Sequence, residues 1–101
     1  MINARKEFQE HAAVAPVVCA VVWYSADKEA AVFYLKEGYT SADYEDFLNE
    51  LDIDYDDGYG QQYVEGTIFY EDGTWSERED YDGSEWWKHY KRPEVPEFLK
   101  A

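Results

Sequence analysis

The side chains of this chain best suited to chemistry are its carboxylates, and the most ordered spacing among them is Asp52-x-Asp54-x-Asp56. Acids at alternate positions are how an EF-hand loop begins to wrap calcium, but that loop also needs a glycine at its sixth position and a bidentate glutamate at its twelfth. Asp57 and Tyr63 stand there instead, so no metal site is expected. Paired carboxylates can also act as the acid and base of a glycosidase, provided a protected pocket raises the pKa of one of them. None of the many carboxylates here is set apart in that way. His11 and His89 lack the His-x-x-x-His spacing of a metal site, and no Gly-x-Ser-x-Gly or Gly-Lys-Ser/Thr motif occurs. Cys19 is the only cysteine. It excludes an internal disulfide and a thiolate zinc site, and its apolar neighbours predict a buried, inert thiol. The expectation is a protein without catalysis, cofactor or metal.

What the carboxylates do share is position along the chain. Net charge is −14, yet residues 1–40 hold five acids and four bases, residues 41–85 hold sixteen acids and only Arg78, and residues 86–101 hold two acids and four bases. Such a field opposes folding by self-repulsion and attracts basic partners. Direct nucleic-acid binding fails on sign, because phosphates must be met by clustered Lys and Arg and the longest basic stretch is Lys88 to Arg92. A chain of 101 residues that is 46% hydrophobic and 19% aromatic carries enough apolar matter for one core, so residues 1–101 read as a single domain. The longest apolar run, Val17 to Tyr24, is too short for a membrane helix, and no secretory signal is evident, so a cytoplasmic protein is expected.

The elements that must position these acids follow from periodicity. Residues 2–15 predict a first helix, with Phe8, His11, Ala12 and Ala15 at helical spacing and Pro16 closing it. Val17 to Tyr24 and Ala30 to Lys36 predict a β-hairpin. Thr40 or Ser41 caps a second helix whose Tyr44, Phe47, Leu48 and Leu51 form one apolar stripe, leaving a ladder of carboxylates on its outer side. Residues 52–61 read as an acidic loop. Gln62 to Tyr70 and Thr74 to Tyr81 predict a second hairpin turned by Asp72-Gly73, and Ser84 caps a short third helix over residues 85–90 that must end before Pro93. An extended tail follows. The order α-β-β-α-β-β-α is that of an α+β fold: a four-stranded antiparallel sheet with helices packed on one face. The strand order and the oligomeric state stay open.

A folded surface of closely spaced carboxylates can compete with nucleic acid for a basic groove. The residues expected to form it, provided the fold brings them onto one side, are Asp43, Glu45, Asp46, Glu50, Asp52, Asp54, Asp56, Asp57, Glu71, Asp72, Glu77, Glu79, Asp80, Asp82 and Glu85, with Tyr55 and Tyr59 as aromatic anchors in the acidic loop. Tyr44, Tyr70 and Trp86 are expected in the core or sheet. The stretch Glu65-Gly66-Thr67-Ile68-Phe69-Tyr70-Glu71-Asp72-Gly73-Thr74-Trp75-Ser76-Glu77-Arg78, continuing through Tyr81-Asp82-Gly83-Ser84-Glu85-Trp86-Trp87, resembles a hairpin-plus-helix pattern of small uncharacterised proteins of tailed bacteriophages. In size and acidity the chain is similar to phage anti-defence proteins, the antirestriction and anti-CRISPR inhibitors, several of which are DNA mimics. That likeness implies an inhibitor of a basic host protein such as a CRISPR complex, restriction enzyme, nuclease or polymerase. The alternative is an interaction adaptor anchored by aromatic residues, whose acidity maintains solubility.

Overall fold

The computed structural model describes residues 1–26, 29–55 and 62–100. Its elements run β1 (Ile2–Asn3), α1 (Ala4–Ala12), β2 (Val17–Ala26), β3 (Glu29–Leu35), α2 (Ser41–Glu50), β4 (Asp54–Tyr55), β5 (Val64–Tyr70), β6 (Trp75–Tyr81), β7 (Ser84–Tyr90) and a 3-10 turn at Glu97–Leu99. The fold is α+β, with two helices. In place of the expected four-stranded sheet there is a five-stranded antiparallel sheet of order β3-β2-β5-β6-β7, plus a two-stranded sheet of β1 and β4.

The extra strand is the segment expected to be a third helix. Asp82 and Gly83 both take positive φ, 52° and 87°, and Tyr81 pairs with Ser84 across them. A two-residue turn of that handedness matches the twist of two antiparallel strands, so the chain folds back as β7. Glu85 and Trp87 then point inward while Trp86 and Lys88 point outward, a period of two that no helix supports.

Both remaining helices form where their caps and stripes dictate. The Asn3 side chain accepts the Lys6 N–H to start α1, two residues later than expected because Ile2 and Asn3 are drawn into β1. The helix ends at Ala12, ahead of Pro16. At α2, Thr40 and Asp43 exchange side-chain and backbone hydrogen bonds in a full capping box. Ala4, Phe8 and Ala12 of α1 and Phe47, Leu48 and Leu51 of the α2 region are buried with Val22, Leu35, Val64, Ile68, Tyr70 and Trp87 of the sheet. Phe8 meets Phe47 and Trp87 edge-on, at 5.2 and 6.1 Å between ring centres, in the geometry aromatic quadrupoles favour. The core therefore lies between the helices and one side of the sheet. Among the described residues, its other side carries no α-helix.

The helix-side core demands a close approach at Gly66. A Cβ there would stand 2.4 Å from the Val21 carbonyl oxygen and 3.2 Å from the Trp87 ring, so only glycine lets β5 lie against β2 at this point.

Candidate functional site

Two features of the sheet define what this protein can do, one inside and one outside. The internal one begins where β5 and β6 part. Their pairing covers only Thr67–Phe69 against Trp75–Glu77, and before Thr67 β5 stays paired with β2 but has no strand partner on its β6 side. Side chains fill that role. The Glu85 carboxylate accepts from Tyr63 N–H at 2.7 Å and Val64 N–H at 2.9 Å, and Arg78 Nε donates to the Val64 carbonyl at 3.3 Å. Arg78 Nη2 lies 2.6 Å from Glu85 Oε1, and Nη1 is 3.0 Å from Glu7 Oε1 of α1. The Nη1 contact is an ion pair without hydrogen-bond alignment. Burial alone would pull the Arg78 pKa down, but Glu7, Tyr55 and Glu85 outweigh it and push it up. Tyr55 completes the group by donating its hydroxyl to Glu7 and accepting from Arg78 at 2.9 Å. Burial, followed by the Glu7 hydrogen bond, raises the Tyr55 pKa. Arg78, Glu85 and Tyr55 of this cluster are buried, while Glu7 keeps 18% of its side chain exposed.

A second polar chain lies beneath α1. His11 Nε2 is 2.8 Å from Ser76 Oγ, which is 2.8 Å from the Tyr70 hydroxyl. A histidine against a serine hydroxyl is the start of a nucleophile–base pair, but Ser76 is 0% exposed and has no room for a substrate. Burial, helped by His89 and Arg78, lowers the His11 pKa, which favours the neutral imidazole. Among the described residues no group of three or more His, Cys, Asp or Glu is arranged to hold a metal ion.

The external feature is the helix-free side of the sheet. Alternation puts Val32 and Tyr34 of β3, Cys19, Val21 and Trp23 of β2, Thr67 and Phe69 of β5, Trp75, Glu77 and Glu79 of β6, and Trp86, Lys88 and Tyr90 of β7 on it, opposite the buried residues. Register makes neighbours of Trp23 and Val32, Val21 and Tyr34, Trp23 and Glu65, Phe69 and Trp75, Trp75 and Tyr90, Glu77 and Lys88, and Glu79 and Trp86. Trp75 and Tyr90 stack at 5.9 Å, and the Lys88 ammonium lies 5.3 Å from the Tyr90 ring centre. Trp23, Tyr34, Phe69 and Trp86 are between 40% and 62% exposed. Where β5 and β6 part, a cleft of about 390 Å³ opens on this side among Trp23, Gln62, Glu65, Glu77 and Glu79. Another hollow, of about 470 Å³, lies next to it between Trp23, Val32 and Gln62. Together, these aromatic side chains form an exposed patch on the helix-free side of the sheet.

The acids expected to make one track are divided. Asp43, Glu45, Asp46 and Glu50 are exposed on α2, and Asp52 and Asp54 follow at its end. The Asn3 side-chain amide donates to both Asp52 and Asp54, and Arg5 reaches Glu45 at 3.2 Å. These six share the helix layer. Glu77 and Glu79 alternate with buried Ser76 and Arg78 and so face the opposite way. Glu71 and Asp72 sit at the β5–β6 turn and Asp82 at the β6–β7 turn, with Asp80 exposed on the helix-side parity of β6. The Thr74 hydroxyl and backbone N–H hold the Asp72 carboxyl below its usual pKa. Tyr55, expected as an anchor in an acidic loop, is instead buried in β4 as the hydroxyl of the Arg78 cluster. Asp56, Asp57 and Tyr59 lie outside the described residues.

Trp86, expected in the core or sheet, is a sheet residue of β7 whose ring stands on the open face. Tyr44 and Tyr70 pack against or within the core as expected. The sequence reading missed Glu85 and Arg78 as partners and the open face as a surface. The available signals were the lone base among sixteen acids and a second Asp-Gly dipeptide at Asp82-Gly83.

No protein-family model, curated protein or solved structure matches this chain. Among the described residues, no helix is long and apolar enough to cross a membrane.

Proposed function

We propose that this chain is a non-catalytic protein-binding module that grips its partner with the open side of the five-stranded sheet. The observation that carries the reading is the alignment of Trp23, Phe69, Trp75, Trp86 and Tyr90 on a face without a helix. Aromatic side chains bury large area at small entropic cost and dominate interface energetics. Glu65, Glu77 and Glu79, set among them with Lys88, favour a partner surface that presents Arg or Lys beside apolar residues.

Charge mimicry of nucleic acid, directed at a basic host defence protein, is the second reading. It is favoured by the α2 side, where Asp43, Glu45, Asp46, Glu50, Asp52 and Asp54 lie on one helix, the strand that follows it and the short link between them. The two readings use opposite faces, so one experiment separates them. Tagged protein is used to capture partners from bacterial lysate at low and high salt, in parallel with a Phe69→Ser/Trp86→Ser variant and an Asp43→Asn/Asp46→Asn/Glu50→Gln variant. Loss of the captured protein with the first variant, with retention in high salt, supports docking through the sheet. Loss with the second variant and elution by salt transfers the function to mimicry, because phosphate-like contacts are the salt-sensitive ones.

A further inference from the structure

We infer that the 91–100 segment of one copy docks on the open sheet face of a second copy, so that two chains associate through a reciprocal pair of contacts. This rests on the reading of that face as a docking surface and names one occupant for it. Beyond Tyr90 the chain leaves the sheet at its β7 edge, and every residue from Lys91 to Lys100 is exposed. Three of these are apolar: Val95, Phe98 at 84% and Leu99 at 65% exposure. Single exposed apolar residues are common, but three within five positions on a segment outside the core form a short apolar ligand.

The segment is partly ordered already. Leu99 and Lys100 N–H groups bond to the Pro96 and Glu97 carbonyls at 2.9 and 3.1 Å, and Pro93 and Pro96 fix two further φ angles. Less freedom is therefore lost when it is immobilised. Charge also matches. Lys100 pairs with Glu97 at 3.5 Å, which leaves Lys91 and Arg92 against Glu94 in a chain of net charge −14, while the open face carries Glu65, Glu77 and Glu79 beside Lys88. Basic and apolar groups on the segment thus meet acidic and aromatic groups on the sheet.

The face of the same chain is not where the segment lies. Phe69 and Trp86 stay 46% and 40% exposed, and the Cα radius of gyration of 15.3 Å exceeds the roughly 13 Å of a compact domain of this length, as a projecting segment requires. Each chain has one segment and one face, so a two-fold axis satisfies both at once and closes the assembly.

Sedimentation velocity on the whole chain, from low-micromolar to near-millimolar concentration, tests this against Phe98→Glu and, separately, Phe69→Glu. Far-ultraviolet circular dichroism establishes that each variant is folded. The expected result is a concentration-dependent dimer whose dissociation constant rises roughly tenfold or more in either variant, as loss of one buried aromatic contact predicts. A monomer at every concentration overturns the inference, and so does a dimer indifferent to Phe98→Glu. If the protein is monomeric while Phe69→Ser/Trp86→Ser still abolishes partner capture, self-association falls and the docking face stands. If the dimer forms as described but that double variant captures its partner normally, the docking function falls instead.

Discussion

Arg78 Nη2 and Glu85 Oε1 lie 2.6 Å apart, on neighbouring strands, with side chains 1% and 0% exposed. The pair closes the gap where β5 leaves β6, and each member also satisfies β5 backbone at Val64. Removing one charge strands the other in the interior. Arg78→Met is expected to cost about 3–5 kcal/mol in urea unfolding, the range for a broken buried pair. Arg78→Met/Glu85→Gln should recover part of that loss, because the neutral amide oxygen can still accept from Tyr63 or Val64. A single-variant cost below about 1 kcal/mol would show that solvent reaches the pair.

Gly66 offers a second test of the same region. An added Cβ at 2.4 Å from the Val21 carbonyl oxygen meets backbone, which cannot swing aside as a side chain can. Gly66→Ala is therefore expected to destabilise the protein by about 1–3 kcal/mol, the usual range for overpacking, measured as the shift in urea midpoint. Gly73→Ala should fall below this. Its φ is +84° but nothing lies within 4 Å of the added carbon, leaving only the backbone preference, worth about 1 kcal/mol.

Much of this fold is legible in the sequence, and what is not shares a cause. The α2 stripe of Tyr44, Phe47, Leu48 and Leu51 has one apolar face, and Asp72-Gly73 turns two well-patterned strands, so both read directly. β7 does not, because Trp86 and Trp87 are adjacent aromatic residues on opposite faces and the inward Glu85 looks like a surface residue. Its inward position makes sense only beside Arg78, on a neighbouring strand. Whether the acids share one side stays open in the sequence for a related reason. Counting acids along the chain ignores the two-residue alternation that sends Glu77 and Glu79 away from the α2 carboxylates. Tyr55 is misread because β4 is only two residues long and is defined by its pairing with Ile2 and Asn3, which no local pattern announces.

His11 makes stability depend on pH. Its folded pKa is lowered by burial, His89 and Arg78, and it faces Ser76, Tyr70 and the Trp87 ring. The folded state binds fewer protons than the unfolded one in this window, so the His11 contribution is complete above the unfolded value of about 6.5 and is lost as pH falls through the folded one. The difference in melting temperature between the wild type and His11→Gln should shrink from neutral pH toward about 5. Comparing the two proteins cancels the carboxylates they share. A difference independent of pH would mean that His11 is hydrated and ordinary.

The open face should matter more to binding than to folding. Phe8 is fully buried between α2 and Trp87, and Phe8→Ala is expected to cost about 3–5 kcal/mol as a large cavity forms in the core. Phe69 is 46% exposed, so Phe69→Ala removes only part of its contact area and should cost about 1 kcal/mol. Trp86, at 40%, should behave like Phe69. Partner capture should rank the other way, abolished by the face substitutions at protein concentrations where both variants are folded. Urea unfolding of Phe69→Ala and Trp86→Ala, beside capture measured with the same preparations, decides it. Equal losses of stability and capture would place these aromatics in the service of the fold. Lost capture with intact stability means that the sheet holds them exposed for a partner.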